Sequence, residues 1–498
     1  MISRCAGVLL PVFSLPGGWG IGDFGSPARS FVNRLHTAGQ RLWQVLPLSP
    51  TEAAFAHSPY HSLSCHALNP LLVSLEDLRS DGLLGSEEIP AARPLRMGPV
   101  DYGYAGRLKR RLLNIACTRF RCTGSSAGYE TFCQENAFWL EDYALFRVLR
   151  RHFGHLPWTR WPEEFRNRRR TSLVRFTTRR RKEIEIIRIE QYLLDRQWRR
   201  LRNFCHERAV ALFGDLPIYV PLESVDVWGD PPLFQLDRHR KPLAVSGVPP
   251  DCFSRNGQLW GHPLYDWEAH RRTHFSWWVR RLRRQLDLFD AVRIDHFRGL
   301  VAYWEVPAGA RTARKGRWVE APAEALFTEL QRRFLSLPVV AEDLGHITAD
   351  VREALRRIGL PGMRVLLFGF SGDIASNPNA VHNVPPDAVV YTGTHDNNTV
   401  RGWFAGEATA EEKHRLCRIL GRRVSPRRVA WELVRLAYWS PARWAIVPLQ
   451  DLLGLGGEAR LNMPGRKKGN WMWRLTPQQL RRLPVARLRE LATLSGRA

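Results

Sequence analysis

The sequence predicts an α/β protein: a TIM-type (β/α)8 barrel with large, mostly helical and loop insertions after its second and third strands. Three observations carry this. Eight short runs rich in Val, Ile, Leu and Phe lack clean alternation, the composition of parallel strands covered on both faces. Helical patterns lie between several of them. And acid punctuates four strand ends: Asp215 after VALFG, Asp295 after FDAVRI, Glu342 after PVVA and Asp396 after VVYTGTH. In a parallel barrel the carboxyl ends of the strands converge, so repeated strand-end carboxylates predict one pocket of carboxylate chemistry.

In chain order the strand candidates are 7–12, 42–48, 209–220, 288–295, 338–343, 363–370, 388–392 and 444–449. Helical periodicity covers 26–38, 352–358 and 427–437. The separation between the second and third strands is far too long for a βα connection, which predicts an inserted subdomain over 51–208. Within it, 138–152 and 184–210 have the pattern of long helices, whereas 53–95 and 122–131 look irregular. A second insertion, 221–266, is dense in Pro, Gly and Trp and is expected to form ordered loops over the strand ends. With 44% apolar residues and no spacer segment, 1–498 is expected to build one catalytic barrel.

Composition excludes several classes. No apolar stretch has the length of a bilayer span and no signal-peptide layout opens the chain, so a cytoplasmic protein without membrane contact is expected. Cys5, Cys65, Cys117, Cys122, Cys133, Cys205, Cys252 and Cys417 show no CxxC pair, the spacing of free thiols in a reducing compartment. His57, His61 and His66 lie near Cys65 but lack a second ligand pair, so no metal is expected. Lys and Arg number 74 against 48 Asp and Glu, for +26 overall, a balance that favours polyanions at low salt. The charge sits in clusters such as 168–170, 179–181, 280–284 and 422–423. In WWVRRLRRQLDLF, Trp278, Leu282, Leu286 and Phe289 share one helical face, leaving the arginines for solvent. No nucleic-acid motif accompanies them, and no specific nucleic acid is expected. GIGDFG matches GxGxxG at Gly20, Gly22 and Gly25, but SLPGGW separates it from the strand and no acid lies between Asp23 and Glu52 to hold a ribose; no cofactor is implied.

The acidic positions suit glycoside chemistry, in which a carboxylate and a carboxylic acid roughly 5 Å apart flank the bond in a retaining site. In AVRIDHFRG, strand alternation puts Arg293 and Asp295 on one face, so the guanidinium holds the aspartate ionised and aimed. In VVAEDLG only one of Glu342 and Asp343 points inward, and periodicity does not choose between them. His395 and Asp396 place an imidazole and a carboxylate at one strand end, able to grip vicinal hydroxyls.

The ordered set RIDHFRG, AEDLG and GTHDN resembles the catalytic core of the alpha-amylase clan. AGVLLPVFSLPGGWGIGDFG, WQVLPLSP, SPY, GDLPIYV, GVPPDCFSRNGQLWGHPLYDW, LNMPG and NWMWR are similar, more narrowly, to 4-alpha-glucanotransferases of the amylomaltase or disproportionating-enzyme family. The resemblance implies Asp295 as nucleophile, Glu342 as acid/base and Asp396 as transition-state stabiliser. Asp343 is then left to orient neighbours or to cap the helix that follows. The resemblance further implies substrate contacts from Arg293, His395, Tyr60, Asp251, Trp260 and Asn462. Its substrates would be alpha-1,4-glucans and maltooligosaccharides, with glucose or another glucan as acceptor. His61 and His262 depart from the pattern, standing where family members more often carry Ser and Asn. Trp228, Trp260 and Trp267, among 19 tryptophans, are candidate sugar platforms. The competing expectations are a hydrolase with the same carboxylates and a basic binding protein with a degenerate site.

Overall fold

A computed structural model describes residues 3–91, 98–123, 126–250, 254–345, 347–466 and 468–498. Its strands in chain order are β1 (Cys5–Leu9), β2 (Leu42–Gln44), β3 (Ala211–Leu216), β4 (Ala244–Val248), β5 (Gln258–Pro263), β6 (Ala291–Ile294), β7 (Ala302–Pro307), β8 (Arg317–Glu320), β9 (Val339–Ala341), β10 (Met363–Val365), β11 (Val389–Tyr391) and β12 (Trp444–Pro448). Eight of them form one all-parallel sheet in the order β10-β11-β12-β1-β2-β3-β6-β9. β1 runs in register with β12 from Cys5 opposite Trp444 to Leu9 opposite Pro448, so the first and last strands are neighbours. Nearly every residue of these strands is buried, which is why they show no alternation.

The seam between β9 and β10 is closed by other means than a ladder. Ala341 N–H donates to Pro361 O at 2.9 Å, and the Asp343 carboxylate accepts Met363 N–H at 2.6 Å and Arg364 Nη1 at 2.8 Å. A Cβ on Gly362 would lie 2.5 Å from Asp343 Oδ2, so this approach requires glycine. Of the two roles open to Asp343, orienting neighbours is the one found; the helix Ala349–Ile358 begins at Thr348 with no side-chain cap.

Between β2 and β3 lie three long helices, Tyr102–Cys122, Ala127–His152 and Arg181–His206. The described part of 122–131 is therefore largely helical, not irregular. Ser126 accepts Tyr129 N–H and starts the second helix well before residue 138. The third helix fixes the loop that follows β2. Gln191 pairs with both the N–H (2.8 Å) and the O (3.0 Å) of Leu68, and Gln197 does the same for Ser74. These two buried amides stand in for a strand neighbour and leave no backbone group of those residues orphaned.

Two further expectations are corrected. The 221–266 segment is not all loop: β4 and β5 join β7 and β8 in an antiparallel sheet ordered β5-β4-β7-β8. The helix Ser276–Leu288 does not turn all its arginines to water. Arg281 is buried and donates to Ile218 O at 2.9 Å and to Pro217 O, while Arg284 donates to Asp195 at 2.9 Å and His66 O at 3.2 Å. Irregular backbone above the strand ends has carbonyls that no ladder satisfies, and guanidinium groups, each with five donors, supply the missing partners. The GIGDFG segment is also structural: Asp23 accepts Gly25 N–H and pairs with the buried Lys109 at 3.0 Å.

Candidate active site

The site is built at the carboxyl end of the barrel, where each contributing strand delivers one or two polar side chains. β3 ends with Asp215 buried beneath the pocket. Its neighbour Gly214 has no room for a Cβ, since the Phe289 ring would be 2.2 Å away, and this close packing sets the depth of Asp215. From β6, Arg293 points to the same place. Its Nη1 donates to both Asp215 oxygens, at 2.8 and 2.7 Å, and its Nη2 donates to Asp295 Oδ1 at 2.7 Å. Glu342, just past β9, brings Oε2 to 3.8 Å from the same Nη2. One guanidinium thus faces three carboxyl groups.

Glu342 is aimed by backbone. Oε2 accepts His296 N–H at 2.7 Å and Oε1 accepts Leu344 N–H at 2.9 Å. His296 sits at φ 49°, a left-handed conformation that costs a non-glycine residue about 1 kcal/mol and turns its amide toward the glutamate. Burial pushes both the Asp295 and Glu342 carboxyls upward against the pull of Arg293. Because the two interact, the last proton belongs to the pair. Asp295 has the closer cation and a side chain 25% exposed, whereas Glu342 is 11% exposed and farther from Arg293. The closer cation and greater exposure favour the charge on Asp295, while the two backbone N–H groups on Glu342 favour charge there.

Tyr60, in the loop after β2, donates its hydroxyl to Asp215 Oδ2 at 2.6 Å and lies 2.8 Å from His395 Nε2. A hydroxyl has one proton, so its oxygen must accept from His395, which fixes the imidazole proton on Nε2. Burial lowers the His395 pKa and keeps the ring neutral. Next in sequence, Asp396 lies at the open side of the pocket with 41% of its side chain exposed. Its Oδ2 is 3.4 Å from His395 Nε2, and its Oδ1 accepts Asn462 Nδ2 at 2.6 Å. Arg460 Nη2 donates to the Asp396 carbonyl at 2.9 Å and fixes the turn.

Eight of the nine residues expected from the sequence thus have described positions. Seven of them, Asp295, Glu342, Asp396, Arg293, His395, Tyr60 and Asn462, are joined through Asp215 into one hydrogen-bond and ion-pair network. Trp260, on β5, joins the pocket through an edge-to-face contact with His296 at 4.7 Å. Asp251 lies outside the described residues. Asp215 is the site residue to which sequence reasoning assigned no role, although the strand-end acid that found the others marks it too. His61 and His262 face each other at 5.3 Å, with Phe55 stacked on His61 at 3.3 Å, and burial pulls them down to about 3 and about 4, so both rings are neutral. Trp228 is no platform: it is buried, donates to Phe165 O at 3.0 Å and carries Arg168 over its ring. Trp267 packs on Trp278 and His270.

Comparison with known proteins decides the family. The family model described as 4-alpha-glucanotransferase matches residues 10–480. The chain belongs to the 4-alpha-glucanotransferase family. A member from Thermus thermophilus is 45% identical, covering 100% of this chain and 99% of its own. A chloroplastic/amyloplastic member from Arabidopsis thaliana is 41% identical over 99% of this chain and 86% of its own. Among solved structures, the amylomaltase of Streptococcus agalactiae in complex with acarbose superposes with a TM-score of 0.94 at 34% identity, covering 99% of this chain and 100% of that one. The amylomaltase of Corynebacterium glutamicum, 18% identical, shares the fold with a TM-score of 0.81 over 99% of this chain and 75% of that one. The protein is an enzyme of the 4-alpha-glucanotransferase type, and among its described residues no helix is long and apolar enough to cross a membrane.

Proposed function

We propose that this cluster cleaves and re-forms alpha-1,4-glucosidic bonds by double displacement, moving a segment of a glucan or maltooligosaccharide onto the 4-hydroxyl of glucose or another glucan. The observation that carries the reading is the unequal sharing of Arg293 between Asp295 and Glu342. Asp295, held anionic at 2.7 Å from Nη2, attacks the anomeric carbon. As the C1–O4 bond breaks, Glu342 gives its proton to the departing oxygen, and a glucosyl ester forms on Asp295. Esterification removes the Asp295 charge, which had held the Glu342 proton in place, so Glu342 becomes the base for the second step. It then takes the proton of the acceptor 4-hydroxyl as that oxygen displaces Asp295 and restores the alpha linkage.

Asp396, braced by Asn462 and beside the neutral His395, suits hydrogen bonding to the ring hydroxyls of a distorted donor sugar. Arg293, His395 and Tyr60 shape the floor, and Trp260 offers an aromatic face near His296. Asp251 is proposed as a substrate contact on family resemblance alone. Transfer exceeds hydrolysis when a bound acceptor supplies its hydroxyl at high effective molarity. The seven described cysteines are free thiols, which suits the cytoplasm.

Maltotriose is the test substrate. Transfer gives glucose together with a ladder of longer maltooligosaccharides on chromatography. Glucose and maltose alone would identify a hydrolase, and an unchanged substrate a binding protein.

A further inference from the structure

We propose that Cys65, His66 and Asp226 form a binding site for one thiophilic divalent cation of the Zn²⁺ class, seated between the loop that carries Tyr60 and the short helix that follows β3. Among the described residues this is the one place where three donor atoms of His, Cys, Asp or Glu lie within 4.8 Å of one another. Cys65 Sγ is 3.0 Å from Asp226 Oδ1 and 3.2 Å from His66 Nδ1, and His66 Nδ1 is 3.5 Å from Asp226 Oδ1. A tetrahedral ion with bonds of about 2.0–2.3 Å holds its ligand atoms roughly 3.3–3.7 Å apart, so the triangle needs to open by only a few tenths of an ångström.

The sequence set aside a metal here because the ligands near Cys65 looked incomplete. The missing donor comes from 161 residues farther along the chain. His57 and His61, which the sequence grouped with the pair, turn elsewhere: His57 stacks on Tyr102 and His61 on Phe55.

A partly enclosed cavity of about 20 Å³, room for one water, is lined by both Cys65 and His66. Without an ion, the Cys65 thiol donates to Asp226 Oδ1 and the Cys65 N–H to Oδ2. Burial holds the thiol proton on, so metal binding must release it, leaving a thiolate, a carboxylate and a neutral imidazole around the ion. Arg281 and Arg284, from the helix packed alongside, oppose added positive charge. The soft thiolate bond therefore has to supply the affinity, and hard cations such as Mg²⁺ and Ca²⁺ should not compete. Tyr60 and Asp215 line the same cavity.

Cobalt(II) titration of the full chain is the test. One equivalent should bind with sulfur-to-cobalt charge-transfer absorption and the strong visible bands of a tetrahedral ion, displaced by Zn²⁺ but not by excess Mg²⁺. Cys65→Ser should lose the charge-transfer band while keeping the wild-type melting temperature, and Cys417→Ser, a remote thiol, should retain it. Absence of the band from the wild type overturns the proposal whatever the variants do. So does its persistence in Cys65→Ser, or its displacement by Mg²⁺.

Discussion

The two ends of the barrel bury the same side chain and use it oppositely. At the carboxyl end Arg293 is surrounded by Asp215, Asp295 and Glu342, more negative charge than one guanidinium can neutralise. At the amino end Arg497, fully buried, donates to the carbonyls of Cys5, Tyr438, Ser440, Ala442 and Arg443 at 2.8–3.2 Å, and among the described residues no carboxylate pairs with it. Burial, with Arg4 beside it, pulls Arg497 down to about 10. The difference is between surplus charge and satisfied geometry. Surplus negative charge retains a mobile proton and an aimed nucleophile, which is chemistry. A guanidinium spread over neutral carbonyls ties the chain terminus to the first and last strands, which is stability.

The largest effect that would sharpen this contrast is at Asp215. Asp215→Asn keeps the shape but withdraws the charge that fixes Arg293, and it is expected to lower kcat for maltotriose disproportionation about 10²–10³-fold with KM little changed. An unchanged kcat would mean that Arg293 needs no second carboxylate. Next comes Arg497→Leu, which removes five hydrogen bonds, although Arg4 and the Cys5 N–H still serve four of those carbonyls. It is expected to cost about 2–4 kcal/mol in denaturant unfolding while leaving kcat intact below the melting temperature. Loss of turnover without loss of stability would erase the distinction between the two ends.

A smaller effect concerns pH. The Asp295–Glu342 pair holds a proton that the unfolded chain gives up at ordinary carboxylate pKa values. The native state therefore binds more protons than the unfolded state above about pH 4. Stability must fall as pH rises from there through the raised pKa, by at most about 1.4 kcal/mol per pH unit. Glu342→Gln should remove most of that slope when unfolding free energies are compared at pH 5 and pH 8. The wild-type rate should decline over the same alkaline limb as the acid loses its proton. A variant with the wild-type slope would place the proton elsewhere.

What the sequence disclosed was local. A strand with its terminal acid is a short continuous signal, and alternation alone put Arg293 beside Asp295. Less legible was anything set by distant partners. Asp215 carried the same strand-end mark, but its use depends on Tyr60 arriving from the loop after β2 and Arg293 from β6. Arg281 and Arg284 fit the polar face of an amphipathic helix, and nothing nearby in sequence reveals that this face meets carbonyls and Asp195 instead of water. The β4 (AVSGV) and β5 (QLWGHP) strands mix Ser, Gly, Gln and His with their apolar residues, so they lack the apolar run that marked the barrel strands. Trp228 illustrates the converse: its place in a loop-rich insertion suggested a sugar platform, and packing buried it.

Double displacement requires Asp295 to form a covalent bond to sugar. Glu342→Gln, incubated with α-maltosyl fluoride, whose leaving group needs little protonation, should accumulate a glycosyl ester that mass spectrometry of the digest locates on Asp295. An adduct on Asp396 or Asp215, or turnover of the fluoride with inverted anomeric configuration and no adduct, would contradict it.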